Sequence, residues 1–198
     1  MTDETDETVE TDKTDKTDDR PDRPDRPDRP VRPVRPDRPV RVAILTISDA
    51  GSRGARVDSS GDAIETWVRQ RGYQLAARDL VPDDAGAIAQ RLVTWADQDQ
   101  ADLILTTGGT GLTSRDITPE ATAGVIQKPV PGIAEALRMS AWPRVKNAIL
   151  SRGLAGVRGR SLIVNLPGST GGVKDGLAVL ETVVEHAVGL LREERTEH

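Results

Sequence analysis

Chemistry in this chain concentrates on a glycine turn set between an apolar run and an acid-bearing segment. The order is Leu103-Ile104-Leu105, then Thr106-Thr107-Gly108-Gly109-Thr110-Gly111, then Arg115-Asp116-Ile117-Thr118-Pro119-Glu120. Glycine has no Cβ and tolerates positive φ, so a short strand that ends this way lets backbone amides come close to an anionic ligand. The spacing predicts a phosphate-handling turn. Asp116, five residues beyond Gly111, is placed to hold a metal beside such a phosphate. Thr118 is expected to cap the following helix, with Pro119 at its first position, and helix starts favour anions.

Other polar residues stand where apolar runs end: Ser48-Asp49, Pro82-Asp83 and Asn165-Leu166-Pro167-Gly168-Ser169. Each has a plain alternative, since Asp49 and Asp83 could simply cap helices or brace turns, and the glycine turn could be only a tight connection. Familiar nucleotide motifs do not fit. In 168–175 Val173 stands where a Walker loop needs glycine and Asp175 where it needs Ser or Thr, while Ser114 replaces the third glycine of a dinucleotide fingerprint. His186 lies among apolar residues and reads as structural or surface-exposed. Trp67, Trp95 and Trp142 read as core residues rather than a base-stacking platform.

Alternating strands and helices must hold these residues. Val42-Ala43-Ile44-Leu45-Thr46-Ile47 is a continuous apolar run, as expected of a strand buried on both faces. A helix follows over 60–71, with Ala63, Ile64, Trp67 and Val68 at helical spacing and Gly72 at its end. Residues 73–81 read as strand, Asp83 or Asp84 starts a helix carrying Ile88, Leu92 and Trp95, and 103–106 is a third strand. Helices near 119–127 and 131–142 precede a strand over 161–166. A long helix is predicted over 174–191, with Leu177, Leu180, Val184 and Val188 along one stripe. The pattern predicts a three-layer α-β-α domain with a mostly parallel sheet. Ligands of such sheets bind beyond the carboxyl ends of the strands, where all the candidate motifs fall.

Composition separates residues 1–41 from 42–198. The first segment holds seven prolines, repeated Thr-Asp and Arg-Pro triplets, and only Met1 and four valines as apolar side chains. It cannot build a core and is expected to be a disordered, partly polyproline tail. The tail has 13 acids against 10 bases, leaving 19 against 17 of the chain's 32 acids and 27 bases for the rest, so no nucleic-acid footprint is expected. The remaining 157 residues suit one domain. Without cysteine there is no disulfide framework and no thiolate metal site, so any metal is a hard one. No apolar stretch approaches the roughly 18 residues of a membrane span, and a cytoplasmic location is expected.

With these motifs in order, residues 42–198 resemble the molybdenum cofactor biosynthesis proteins of the MoaB/Mog family, to which the G domains of plant and animal cofactor-synthesis proteins are related. The resemblance runs through Ser48-Asp49 with Gly54, Asp58, Ser60 and Gly61; Val81-Pro82-Asp83; Thr106 to Gly111 with Arg115-Asp116 and Thr118 to Thr122; Pro131-Gly132 with Glu135 and Arg138; Leu150 to Gly153; Gly156 with Arg158-Gly159; and Asn165 to Ser169. Gly-Gly-Thr-Gly followed by Arg-Asp-Ile-Thr-Pro-Glu resembles the adenylyltransferase branch, whereas the competence-damage family usually reads Gly-Gly-Leu-Gly-Pro-Thr. Thr170 departs from the proline of many relatives and is expected to adjust the loop.

The resemblance implies transfer of AMP from ATP to the terminal phosphate of molybdopterin, with release of pyrophosphate and use of Mg2+. A phosphate monoester with a second pKa near 6 is largely a dianion at neutral pH and needs no strong base, so the scarcity of histidine is no obstacle. By resemblance, Asp83 and Asp116 serve the catalytic metal, with Asp49 as a supporting acid. Ser48 and the stretch Thr107, Gly108, Gly109, Thr110 and Gly111 line the phosphate path. Ser151 and Arg152 suit the pterin phosphate, and Asn165, Pro167, Gly168 and Ser169 form the rim. The resemblance also implies a homotrimer or hexamer, with a molybdate-insertion protein as a candidate partner. A non-catalytic molybdopterin binder and a nucleotide pyrophosphatase remain as alternative readings.

Overall fold

The computed structural model describes residues 38–142 and 144–193. The chain divides into 1–32 and 33–198, and the description concerns the second unit alone. Residues 1–37 of the predicted tail lie outside the described residues, but its last four do not belong to a tail: Val40 is fully buried in the core and Arg41 begins the first strand.

Six strands form one sheet: β1 (Arg41–Ile47), β2 (Gln74–Val81), β3 (Leu103–Thr107), β4 (Lys128–Pro129), β5 (Ala155–Arg158) and β6 (Ser161–Leu166). Their spatial order is β2-β1-β3-β6-β5-β4. The first four in that order are parallel, and β5 and β4 close the edge antiparallel. Among the described residues the helices are α1 (Asp49–Ser52), α2 (Ser59–Gln70), α3 (Ala85–Asp97), α4 (Thr118–Ala123), α5 (Pro131–Ala141), α6 (Thr170–Leu180) and α7 (Val184–Leu191), with a 3-10 turn over Lys146–Leu150.

The strands are apolar throughout because both faces are covered. Val42, Ile44, Leu103, Leu105, Leu162 and Val164 pack into one core with Ile64, Val68, Leu177, Leu180, Val184 and Val188 of α2, α6 and α7. The alternate residues Ala43, Leu45, Ile104 and Ile163 pack into a second core with Ile88, Leu92 and Trp95 of α3 and Ala121 of α4. Three layers follow from that alternation, each fully buried Leu or Ile contributing about 1.5–3 kcal/mol. Asp58 starts α2 by accepting the Gly61 amide at 2.8 Å, and Asp84 starts α3 by accepting the Ala87 amide at 2.8 Å.

This topology positions the site. From β1 the chain passes through α2 to β2 on one side, then returns through α3 to β3 on the other, so the loops leaving β1 and β3 diverge and open a crevice.

Four features depart from the sequence expectation. The long helix is two helices separated at 181–183, where Thr182 turns its hydroxyl back to the Val179 carbonyl at 2.8 Å and the β-branched pair Thr182-Val183 favours a break. It also starts earlier: Ser169 caps the Gly172 amide at 3.1 Å and draws Thr170, Gly171 and Gly172 into the first turn. The antiparallel edge, β4 and β5, was not foreseen. Trp142 is 44% exposed beyond the end of α5, unlike Trp67 and Trp95 at 6% and 4%. His186 is exposed. Among the described residues, no helix is long and apolar enough to cross a membrane.

Candidate active site

The turn after β3 is locked from three sides. Gly108 has φ +102, and a Cβ there would collide with the Ile47 carbonyl oxygen at the end of β1; Gly109 has φ +61, and a Cβ there would strike the Thr118 hydroxyl. No residue other than glycine fits this approach. Thr107 Oγ1 donates to the Pro167 carbonyl at 2.7 Å, tying the turn to the end of β6. Thr118 is not the cap expected from its place before Pro119. Its buried hydroxyl donates to the Gly108 carbonyl at 2.9 Å, its amide donates to the Gly109 carbonyl at 3.1 Å, and Ile117 takes the cap position. A buried carbonyl left without a donor is costly, which explains where the hydroxyl goes. The amides of Gly109 and Thr110 find no acceptor among the described residues, so the turn presents two open donors.

The acids around the turn differ in what already holds them. Asp49 accepts Arg115 Nε at 3.0 Å and Nη2 at 2.9 and 2.7 Å, and these bonds keep its carboxyl below the ordinary range. Asp49 and Asp83 exchange backbone bonds: the Asp49 amide donates to Asp83 Oδ2 at 2.8 Å and the Asp83 amide to Asp49 Oδ1 at 3.1 Å. Asp58 is paired with Arg78 at 2.8 Å; burial pushes its carboxyl up, but Arg78, the Gly61 amide and the Thr46 hydroxyl outweigh that and hold it low. Asp116 is likewise pushed up by burial and pulled further down by the Thr113 hydroxyl and amide at 2.6 and 2.8 Å and by the Gly111 amide. Glu120 is paired with Arg152. Asp83 keeps an oxygen, Oδ1, with no donor among the described residues, and this oxygen lies against Gly109; at Asp116 both Thr113 bonds fall on Oδ2.

Asp83 and Asp116 therefore flank the glycine turn, at Gly109 and at Gly111. No cluster of three or more His, Cys, Asp or Glu stands together among the described residues. Open carboxylate oxygen without imidazole or thiolate fits a hard cation shared with phosphate oxygens, the usual way Mg2+ is bound, rather than an all-protein cage.

Two cavities meet at this turn. A polar one of about 350 Å3 is lined by Thr46, Ser48, Asp58, Asp83, Gly108 and Gly109, with the start of α2 opening onto it. A larger one of about 590 Å3 lies on the other side, lined by Thr110, Gly111 and Leu112, by Ala134, Leu137 and Ala141 of α5, and by Val145, Leu150 and Ser151. Ser169, the cap of α6, borders both. The structure thus gathers Ser48, Asp83 and Thr107–Gly109 with Gly168 around the polar cavity, and Thr110, Gly111, Ser151, Asn165 and Pro167 around the apolar one.

Two predicted ligand residues are already engaged. Arg152 donates Nε to the Gly111 carbonyl at 2.7 Å and grips the Asp116 carbonyl and Glu120, so its guanidinium braces the turn. Asn165, 3% exposed, donates to Thr106 Oγ1 at 3.0 Å and Thr122 Oγ1 at 2.9 Å and accepts the Leu154 amide at 3.0 Å. Thr170, in place of the proline of many relatives, brings its hydroxyl within 3.2 Å of Ser59 Oγ and so joins the starts of α6 and α2. Sequence reasoning missed the apolar wall from α5 and the 3-10 turn. In the structure Val145, Ile149 and Leu150 are apolar yet about half exposed, which the sequence does not show.

Comparison with known proteins shows what the chain is similar to. Residues 43–186 match a family model described as "Probable molybdopterin binding domain". The chain is 40% identical over 154 residues to a Helicobacter pylori protein named molybdopterin adenylyltransferase, covering 76% of this chain and 86% of that protein. It is 38% identical over 139 residues to the Escherichia coli K12 protein of the same name, covering 69% and 71%. The structure of the Thermus thermophilus molybdopterin biosynthesis enzyme MoaB superposes with a TM-score of 0.74 at 46% identity, covering 80% of this chain and 99% of that one.

Proposed function

The chain belongs to the molybdopterin-binding domain family that includes the molybdopterin adenylyltransferases, and on that premise we propose that it transfers AMP from ATP to molybdopterin in molybdenum cofactor biosynthesis. The observation that carries the reading is the position of Asp83, a site carboxylate with an open oxygen, on a glycine turn with two open amides between a polar and an apolar cavity.

The polar cavity takes the triphosphate. Its glycine-turn amides and the start of the twelve-residue helix α2 supply fixed dipoles for anionic oxygens. The apolar cavity takes the flat pterin, packed on Leu137, Ala141 and Leu150, with its phosphate toward Ser151 and the turn. A phosphate oxygen of molybdopterin attacks the α-phosphorus of ATP, a new P–O bond forms, and the bond from the α-phosphorus to the bridging oxygen breaks with pyrophosphate leaving. The nucleophile is already anionic, so the protein's work is alignment and charge compensation. Asp83, with Asp116 on the other flank, would hold Mg2+, which neutralises charge on the triphosphate when bound. Asp49 fixes Asp83, and Arg152 fixes the turn. A cytoplasmic homotrimer or hexamer that hands its product to a molybdate-insertion protein completes the proposal.

Formation of adenylylated molybdopterin from ATP, Mg2+ and freshly released molybdopterin tests it. Product and pyrophosphate should appear together and only with the pterin. AMP or pyrophosphate formed equally without pterin would replace this reading by a nucleotide pyrophosphatase, and pterin binding without turnover by a non-catalytic binder.

A further inference from the structure

Asp49, Asp58 and Glu120 are ion-paired and Asp116 is held through Oδ2 by the Thr113 hydroxyl and amide, so where the open oxygen of Asp83 points depends on what fixes its own carboxylate. Among the described residues, the Asp83 carboxylate is held only by the Asp49 amide, on Oδ2, at 2.8 Å. Asp49 in turn is gripped by Arg115, which reaches both carboxylate oxygens. Asp49 Oδ1, the oxygen that receives the Asp83 amide, is also the oxygen that receives Arg115 Nη2.

We propose that Arg115 is a positioning residue of the site: its fork on Asp49 sets the reciprocal Asp49–Asp83 exchange and thereby aims Asp83 Oδ1 at the glycine turn. The inference rests on the adenylyltransferase reading for what Asp83 does, but its geometry stands on the ion pair. A bidentate guanidinium fixes the plane of a carboxylate in a way a lone ammonium does not. Without it, Asp49 turns freely to solvent, the Asp83 amide loses its acceptor and the Asp83 carboxylate loses its orientation. Arg115 belongs to the loop after β3 and Asp49 to the start of α1 after β1, so the pair also straps together the two walls of the crevice. Its charge cancels that of Asp49, which leaves Asp83, with Asp116 across the turn, as the negative charge offered to a cation.

The location argues against a role in stability. Arg115 is 62% exposed and Asp49 30%, and ion pairs in such settings contribute little to folding. Position is what the pair provides.

The test uses the full chain with R115A, R115K and D49N. Binding of Mn2+ in the presence of ATP, followed by the electron paramagnetic resonance of free Mn2+, needs no turnover; melting temperature and the steady-state constants for ATP and molybdopterin complete the set. R115A and D49N should weaken Mn2+ binding and lower kcat about tenfold each, leave the KM for molybdopterin unchanged, and shift the melting temperature by less than about 4 °C. R115K should recover only part of the loss. Wild-type Mn2+ binding by R115A would overturn the proposal, as would a wild-type protein that holds no Mn2+ with ATP. A wild type that binds Mn2+ and ATP yet never adenylylates molybdopterin would instead sink the adenylyltransferase reading, while the Arg115 series would still report on Asp83.

Discussion

The two ends of the sheet carry aspartates gripped by arginine forks, and they differ in burial. At the amino end Asp102, 1% exposed, accepts the Arg41 amide at 2.8 Å, Arg41 Nε at 3.1 Å and Arg192 Nη2 at 2.7 Å. At the carboxyl end Asp49 and Arg115 meet in the open, next to a carboxylate with an unused oxygen. A buried carboxylate has no substitute in water for its partners, so the amino-end cluster belongs to the fold. An exposed one can be reoriented at little thermodynamic cost, so the carboxyl-end pair is free to serve geometry. The same chemistry is spent on cohesion at one end and on aim at the other.

The sharpest way to break this contrast is Asp102→Asn. It removes the buried carboxylate that Arg41 and Arg192 share, and loss of one partner of a buried pair costs about 3–5 kcal/mol; urea denaturation should show it, with turnover per folded molecule unchanged. Acid should do the same by titration. Burial pushes the Asp102 carboxyl up, but Arg41 and Arg192 overcome this and hold it well below the usual carboxylate range. Its folded-state pKa is depressed, so the stabilisation is fully present above the unfolded value of about 3.9 and is lost as pH falls toward the folded value. Asp102→Asn should therefore flatten the fall of stability below about pH 4.

At the other end Asp83→Asn should leave stability nearly untouched, because the amide oxygen still accepts the Asp49 amide, and should lower kcat by about 10²–10³-fold, the range for loss of one fixed electrostatic group at a reacting centre. Equal losses of stability from Asp83→Asn and Asp102→Asn would erase the distinction. The smallest effect is expected of Arg56→Ala. Arg56 borders the polar cavity and makes no ion pair or hydrogen bond among the described residues, so its removal should raise the KM for ATP only severalfold, more at low salt, and leave molybdopterin binding unchanged.

The parts of the molecule legible in the sequence are those governed by period and by backbone sterics. Val42 to Ile47 and Ser161 to Leu166 read as strands buried on both faces because their residues face two cores alternately. The glycine turn was legible because Gly108 and Gly109 sit where no Cβ fits. What escaped depends on partners remote in sequence. Thr118 looks like a helix cap until the carbonyl of Gly108, ten residues earlier, claims its hydroxyl. The edge strand β5 was obscured by Gly156, which is small because Ile126 packs over it. Asp49 was read as a supporting acid by resemblance, but that Arg115, 66 residues away, grips it could not be read from its neighbours in sequence. The pairing of a polar with an apolar cavity could not be read at all, since α5 contributes to the second through residues patterned like any core helix.

The clasp on Asp102 also draws the outline of the folded unit. Arg192 Nη1 and Nη2 donate to the Arg38 and Pro39 carbonyls at 3.0 Å each, so the first and last described turns of chain are fastened to one carboxylate and to each other. A chain trimmed to begin at residue 38 keeps this fastening, whereas one begun at residue 42 loses Val40, Arg38 and Arg41 together and exposes the end of β1. Joining the two ends by a short linker and opening the chain at a surface loop far from the glycine turn should accordingly give a circular permutant with its catalytic geometry intact.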